Sequence, residues 1–184
     1  MHTTLFMAMS VNGFIARPDG EEDFLSTAHW ADYVRFCHTH GNVIMGRKTY
    51  EAIRDWDEDI GFEDVRGVTK IILSNDVAMD VGPDFVVLSS PQEAMHFLAE
   101  SGFEHAFVCG GSFVNTAFLK EHLLNSIVLN IEPVLVGEGK RVFAEADFLE
   151  KLTFVSKEER ENGIITLTYQ TPFAEHEHHA HSHT

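Results

Sequence analysis

Short apolar runs alternate along the chain with segments that carry apolar residues at helical spacing. Apolar runs bounded by Gly, Pro, Asn or Ser are typical of buried strands. They occupy residues 3–10, 42–46, 69–74, 85–90, 105–112 and 126–139. Pro133 lies within the last run and predicts that this strand is interrupted or lies at a sheet edge. Two alternating segments around Glu161-Asn162-Gly163 predict a C-terminal hairpin.

Four helices are predicted between these runs. They begin at Ser26 or Thr27, at Arg47, at Ser90 and at Phe113. The first helix places Trp30, Val34 and Cys37 on one face. The third has the clearest signals, because Ser90 can cap it and Glu93 completes a capping box.

This order of elements predicts an α/β fold with a mostly parallel sheet, helices on both faces and an antiparallel strand at one end. Ligands of such sheets bind at the carboxyl ends of the strands, beside helix N-termini. Three strand ends carry small, cationic or hydroxyl residues that suit a ligand: Gly46 to Thr49, Ser74 to Asp76, and Gly110 to Ser112.

Composition and charge restrict the classes of partner. A chain of 184 residues with 44% hydrophobic content fits one domain. Its formal charge of −16 repels nucleic acid and anionic membranes, so we expect neither as a partner. Cys37 and Cys109 lie in apolar segments, which is typical of buried thiols in a reducing compartment. No apolar run is long enough to span a bilayer, and we expect a cytoplasmic protein.

Arg47 and Lys48 are adjacent cations at a predicted helix start in an acidic chain. A helix N-terminus already carries unpaired N–H groups and a positive dipole end, so cations there cost stability unless an anion lies opposite. A phosphate fits this position, since Gly46 would let it approach the backbone and Thr49 could donate a hydroxyl. The alternative is a solvent-exposed helix start with two surface cations.

The other two strand ends also have two interpretations. Gly110-Gly111-Ser112 could hold a phosphate against backbone amides or could form a plain tight turn. Ser74-Asn75 could contact a ligand or could form a turn. Neither GxGxxG nor GxxxxGK[ST] occurs, so the sequence contains neither the Rossmann fingerprint nor a P-loop.

Five motifs taken in order resemble the dihydrofolate reductase superfamily, and most of all its subgroup related to the reductase domain of riboflavin biosynthesis. They are MAMSVNGFIARPDG, VIMGRKTYEAI, IILSND, VCGGSFVNTAFL and PVLVGEGKRVF. The similarity extends to about Phe173. It implies a three-layer NADPH-binding fold with an eight-stranded, mostly parallel sheet and a homodimeric assembly. The predicted strand around residues 126–136, with Pro133 at an edge, also suggested the dimer.

The resemblance assigns residues to each part of the cofactor. Near the nicotinamide it places Ala8, Ile15 and Ala16. At the pyrophosphate and the 2′-phosphate it places Gly46, Arg47, Lys48 and Thr49. At the adenosine end it places Ser74 and Asn75. It completes the pyrophosphate site with Gly110, Gly111 and Ser112, where the Gly-Gly bond is expected to be cis. Phe113 and Val114, the next two residues, are also assigned to the cofactor.

The substrate end departs from the folate enzyme. The acidic residue that binds the pteridine there corresponds to Trp30, and Asp32 lies two residues on, which turns a helical side chain by about 200°. We therefore expect a substrate other than folate, contacted by Asn12, Asp23 and Trp30. Trp30 could stack on a flat substrate or belong to the core, and Asp19 could contact substrate or only form a turn. If the substrate is reduced by hydride transfer, either Asp32 or a bound water could donate the accompanying proton.

The leading hypothesis is an NADPH-dependent reductase of a small heterocyclic or carbonyl substrate, of the 5-amino-6-(5-phosphoribosylamino)uracil reductase type. The alternatives are a non-catalytic nucleotide-binding or assembly protein on the same fold and, third, a true dihydrofolate reductase.

Residues 174–184 form a His-rich segment that we expect to be a disordered tail outside the domain of residues 1–173. The tail could bind Zn²⁺ or Ni²⁺ adventitiously, and we predict no metal site in the domain.

Overall fold

The computed structural model describes residues 1–54 and 61–173. Its strands are β1 (His2–Ser10), β2 (Phe14–Ala16), β3 (Asn42–Gly46), β4 (Thr69–Leu73), β5 (Phe85–Leu88), β6 (His105–Val108), β7 (Ser126–Glu132), β8 (Lys140–Arg141), β9 (Thr153–Glu159) and β10 (Ile165–Gln170). Its helices are α1 (Thr27–His40), α2 (Arg47–Arg54), α3 (Pro91–Glu100) and α4 (Ser112–Lys120). Single 3-10 turns lie at Phe62–Val65 and Glu161–Gly163. The predicted His-rich tail lies outside the described residues.

Eight strands form the main sheet in the order β5-β4-β3-β6-β1-β7-β10-β9. Neighbouring strands from β5 to β7 are parallel, whereas β10 is antiparallel to both β7 and β9. The predicted α/β fold, with a mostly parallel sheet and a C-terminal hairpin, is therefore confirmed. Among the residues that the structure describes, no helix is long and apolar enough to cross a membrane.

Two apolar clusters cover the two faces of the sheet. Successive side chains of a strand point to opposite faces. Accordingly Leu5 of β1 packs in one cluster with Leu98 of α3 and Phe118 of α4. Phe6, the next residue, packs in the other cluster with Tyr33 of α1 and Tyr50 of α2. Helices therefore lie on both faces, and α1 and α2 share one of them.

Capping groups mark the end of α1 and the start of α3, and the cap of α3 is the predicted one. At Gly41, which has φ +70°, the backbone N–H bonds to the carbonyl of Cys37 and ends α1. The Ser90 hydroxyl accepts from the N–H of Glu93 at 3.2 Å, as a cap of α3 should. The Glu93 carboxylate accepts from Ser89 rather than from Ser90, so the capping box is displaced by one residue.

Two predictions about strands need correction. The predicted strands leave out residues 14–16, but Phe14–Ala16 forms β2 and pairs with β8, because its side chains are buried. Of the two alternatives for Pro133, the interruption is confirmed, since β7 ends at Glu132, and the edge position is wrong, since β7 lies between β1 and β10. Proline lacks the N–H that a central ladder requires, so it interrupts the strand.

Candidate active site

The three predicted strand ends lie side by side in the structure. β4, β3 and β6 are neighbours and run parallel, so their carboxyl ends meet at one edge of the sheet. The N–H of Gly46, at the end of β3, donates to the carbonyl of Gly110 at 2.8 Å. The end of β1, which carries Ala8, lies next in the sheet. The sheet thus brings segments far apart in sequence to one edge.

Three glycines at this edge allow the backbones to approach closely. Gly110 has φ +103°, and a Cβ there would lie 3.2 Å from the Met7 sulfur. A Cβ at Gly46 would lie 3.0 Å from the Val114 side chain. A Cβ at Gly111 would lie 3.5 Å from the Thr49 hydroxyl and would fill the space beside it. The bond between Gly110 and Gly111 is cis, as the family resemblance implied. We call Gly46, Thr49, Gly110 and Gly111 the glycine cradle.

The N-terminus of α2 presents its cations to solvent beside the cradle. Arg47 is exposed, and its Nε lies 3.8 Å from the Glu51 carboxylate, which is a loose surface contact. Lys48 is also exposed and forms no ion pair within residues 1–54 and 61–173. Both side chains are therefore accessible to an anion in solvent.

The remaining predicted cofactor residues differ in which of their polar groups are available to bind a ligand. The Ser112 hydroxyl donates to the carbonyl of Arg141, so its backbone N–H, at the start of α4, is the group left for a ligand. The Ser74 hydroxyl accepts from the N–H of Asp76 at 3.0 Å, while Asn75 is exposed. Phe113 is exposed and Val114 is buried against Gly46.

A largely apolar cleft lies next to the cradle. About 560 Å³ of space lies within its outline, and this space includes open solvent at the mouth of the cleft. It is lined by Phe6, Met7, Ala8, Ile15, Glu22, Leu25, His29, Trp30, Tyr33, Thr49, Ala52, Ile53 and Cys109. Thr49 belongs to both the cradle and the cleft, so the two are continuous. Four of the residues predicted to bind cofactor or substrate line the cleft: Ala8, Ile15, Trp30 and Thr49.

Trp30 is held in the cleft wall by two contacts. Its ring stacks on Tyr33 with centroids 4.7 Å apart, and its Nε1 donates to the Asp64 carboxylate at 2.8 Å. The side chain is half-buried, so it contributes both to packing and to the cleft surface.

Three other predicted residues lie outside the cleft lining. The Asn12 amide bonds to Ser10 and to both backbone groups of Val136, and so ties the turn after β1 to the loop after β7. Asp23 is exposed and pairs with Arg17 at 2.6 Å. Ala16 is buried in β2 and pairs with β8. Their backbone and side-chain contacts shape the loops around the cleft rather than its surface.

Asp32 is buried away from the cleft. Its carboxylate accepts hydrogen bonds from Asn130 and Arg35 at 2.9 Å each, and from Arg160. Burial alone would raise the pKa of Asp32, but the bonds from Arg160, Arg35 and Asn130 hold it below its ordinary value. An ionised carboxylate with three partners is poorly suited to donate a proton. This position links α1 to β7 and to the hairpin loop, which is a structural role.

The cleft contains titratable groups that the sequence reasoning missed. They are Glu22, His29, Tyr33 and Cys109. Burial raises the pKa of Glu22 to about 7, although Lys140 opposes the rise. Glu22 lies in the acidic run Glu21-Glu22-Asp23, and nothing in that run distinguishes the side chain that faces inward. The one sequence signal for this group of residues was the spacing of His29 and Tyr33, which lie four residues apart and therefore on one face of α1.

Fold and site together define a class: an α/β protein of the dihydrofolate reductase type, with a glycine cradle at the sheet edge and an apolar cleft beside it. The chain belongs to the family of the RibD C-terminal domain, whose family model matches residues 1–166. It is 27% identical over 146 residues to the protein YwjB of Bacillus subtilis strain 168, over 78% of this chain and 83% of that one.

Solved structures share the fold. A pyrimidine reductase-like protein from Corynebacterium diphtheriae has a TM-score of 0.73 at 12% identity, over 92% of this chain and 91% of that one. A diaminohydroxyphosphoribosylaminopyrimidine deaminase/5-amino-6-(5-phosphoribosylamino)uracil reductase from Thermotoga maritima has a TM-score of 0.71 at 14% identity. The latter match covers 92% of this chain and 56% of that one. At these identities the likeness concerns the fold alone.

Proposed function

We propose that this protein is an NADPH-dependent reductase that delivers a hydride to a C=N or C=O group of a small heterocyclic or carbonyl substrate. The substrate class we propose is that of 5-amino-6-(5-phosphoribosylamino)uracil. The observation that carries the proposal is the continuity between the glycine cradle and the apolar cleft through Thr49. Family membership in the RibD C-terminal domain supports the same class of reaction.

The residues at the sheet edge fit a dinucleotide. The space beside Gly111 and Thr49, which a Cβ would fill, suits a phosphate group against backbone N–H groups. Arg47 and Lys48 would meet the pyrophosphate and the 2′-phosphate, with Ser74 and Asn75 at the adenosine end. The small apolar side chains of Ala8 and Ile15 would adjoin the nicotinamide. When bound there, the cofactor supplies the hydride.

The cleft residues would orient the substrate and exclude water. The rings of Phe6, Trp30 and Tyr33 provide flat apolar surface for a planar heterocycle. A ring held between these side chains and the cradle would lose solvent on most of its surface, which favours hydride transfer over competing hydrolysis. Asp32, which points away from the cleft, would not contact such a ring, and this disfavours folate as the substrate.

The first experiment compares the binding of NADPH and NADH by calorimetry in wild type and Arg47→Ala. We expect NADPH to bind more tightly than NADH, and Arg47→Ala to weaken NADPH binding at least tenfold, roughly 1.4 kcal/mol for a lost charged contact. NADH binding should change less, because NADH lacks the 2′-phosphate. Arg66→Ala is the matched control, since Arg66 pairs with Glu63 on an exposed turn. Failure of wild type to bind either cofactor would refute the proposal.

We also propose a homodimer in the cytoplasm. The eight-stranded sheet ends at β9, whose backbone edge is unpaired within the described chain. Phe154 and Val155 of β9 are 58% and 49% exposed, and such an apolar edge favours pairing with a second copy. Cys37 and Cys109 are free thiols, which suits a reducing compartment. Sedimentation of the purified protein measures the assembly directly.

A further inference from the structure

Reduction of a C=N or C=O group requires a proton for the nitrogen or oxygen atom as well as a hydride for the carbon. We propose that Glu22 delivers this proton, an inference that rests on the reductase function proposed above. Glu22 lies in the loop between β2 and α1 and lines the same cleft as Ala8 and Ile15. It is the only acidic residue among the described residues that line the cleft.

The Glu22 carboxyl group differs from three nearby carboxyl groups, those of Asp23, Asp32 and Glu132, which are all paired. Asp23 is paired with Arg17, and Asp32 accepts three hydrogen bonds. Glu132 accepts from both the N–H and the hydroxyl of Ser26. In the part of the chain that the structure describes, the Glu22 side chain forms no hydrogen bond or ion pair of ordinary length. It is therefore free to bond to a molecule in the cleft.

Charges from several elements act on Glu22. Burial favours its neutral form, Glu21 in the same loop adds to this effect, and Lys140 of β8 opposes it, leaving a pKa of about 7. Lys140 reaches over this loop, since a Cβ at Gly20 would lie 3.0 Å from its Nζ. From α1 and the end of β6, the titratable side chains of His29, Tyr33 and Cys109 line the same cleft. At neutral pH a large fraction of Glu22 thus holds a proton, as a general acid must.

The other titratable groups of the cleft are poorer donors. His29 places Nδ1 2.6 Å from the Ser26 carbonyl, so Nδ1 carries the hydrogen, and burial lowers the pKa of its imidazole. Its Nε2 therefore accepts rather than donates. Burial raises the pKa of the Tyr33 hydroxyl and of the Cys109 thiol well above their ordinary values. Glu22 is the group whose proton is available near neutral pH.

The O–H bond of the Glu22 carboxyl group breaks, and its proton forms the new N–H or O–H bond on the substrate. The adjacent substrate carbon gains a hydride, and the substrate is reduced by two electrons while NADPH is oxidised to NADP⁺. The Glu22 carboxylate then regains a proton from solvent through the open side of the cleft.

The first test observes the proton itself and needs neither cofactor nor substrate. Carbon-13 NMR of glutamate-labelled protein should show a carboxyl resonance that titrates near pH 7 in wild type. It should be absent in Glu22→Gln and retained in Glu21→Gln, the matched control on the exposed neighbour. Lys140→Met should move its midpoint to higher pH, because the nearby positive charge is lost. A Glu22 resonance that titrates near the ordinary glutamate value would overturn the proposal.

The second test measures catalysis with 5-amino-6-(5-phosphoribosylamino)uracil and with dihydrofolate as probe substrates. Glu22→Gln should bind NADPH within twofold of wild type, yet its kcat should fall by about 100-fold or more. Wild-type kcat should decrease as pH rises through about 7, and Glu22→Gln should lose this dependence. Glu21→Gln should keep a kcat close to wild type and keep the pH dependence, with its midpoint at slightly lower pH because a neighbouring negative charge is lost.

The outcomes separate this inference from the proposed function. If wild type reduces a probe and Glu22→Gln keeps its kcat across the pH range, the role of Glu22 is refuted and the reductase function stands. If wild type binds no NADPH or reduces neither probe, the reductase function fails, and the role of Glu22 fails with it.

Discussion

The glycine cradle and the apolar cleft are neighbours at one sheet edge, but they are built in different ways. The cradle consists mainly of backbone, and a short motif at each strand end specifies it, such as Gly46 before α2 and Gly110-Gly111 before α4. The cleft consists of side chains from β1, β2, α1, α2 and the loop before α1. A backbone site is encoded locally, whereas a side-chain site depends on how distant elements pack together.

Two carboxyl groups shielded from solvent to different degrees, those of Asp32 and Glu22, show the same contrast on a smaller scale. Asp32 and Glu22 lie ten positions apart in sequence, and neither is marked by a motif. Asp32 meets Arg160, Arg35 and Asn130 and is held ionised. Glu22 meets no such partners and is held partly neutral. The same kind of side chain thus becomes a structural anchor in one place and a proton carrier in the other.

The largest effect is expected for Asp32→Ala. Removing the carboxylate leaves the buried Asn130 amide and Arg160 without their partner. We expect a loss of about 2 to 4 kcal/mol, less than for a fully buried ion pair because 28% of the Arg160 side chain is exposed. Urea unfolding measures this cost. NADPH binding by the folded fraction should remain close to wild type, because Asp32 lies outside the cleft. A stable Asp32→Ala variant that binds NADPH but has lost turnover would assign Asp32 to catalysis after all.

The next largest effect concerns stability against pH. The pKa of Glu22 rises from 4.5 in the unfolded chain to about 7 in the folded protein. Between these values the unfolded chain releases the proton and the folded protein keeps it, so stability falls as pH rises and the loss is complete above about 7. The shift corresponds to at most about 3 kcal/mol. Unfolding at pH 4.5 and pH 8 should show Glu22→Gln gaining stability relative to wild type at the higher pH, with Glu21→Gln showing no such gain.

The smallest effect on stability is expected in the cradle. Gly110→Ala places a side chain at φ +103° and 3.2 Å from Met7, for which we expect a loss of about 1 to 3 kcal/mol. NADPH binding should weaken as well, because the cradle must shift to admit the methyl group. Gly102→Ala is the control, since Gly102 has φ +84° and open space around its Cβ position. The control should lose stability but keep NADPH binding. Equal loss of binding in both variants would contradict the cradle assignment.

Much of the fold could be predicted from local pattern. Apolar runs and the Asn-Gly hairpin pattern gave the strands of the main sheet, and Ser90 marked the start of a helix, because capping, turns and burial act within a few residues. β2 was missed because three residues form a strand only by pairing with β8, more than a hundred positions later. The edge position suggested by Pro133 was wrong because β10 covers that side of β7.

The sequence by itself determined the chain order of the helices and of the main-sheet strands, the glycines of the cradle and the cations beside it. These features depend on local periodicity, capping and the backbone freedom of glycine. Only the tertiary structure decided which acidic side chain faces the cleft and which is paired. A pKa depends on burial and on charges within a few ångströms, and those neighbours come from segments as distant as Glu22 and Lys140.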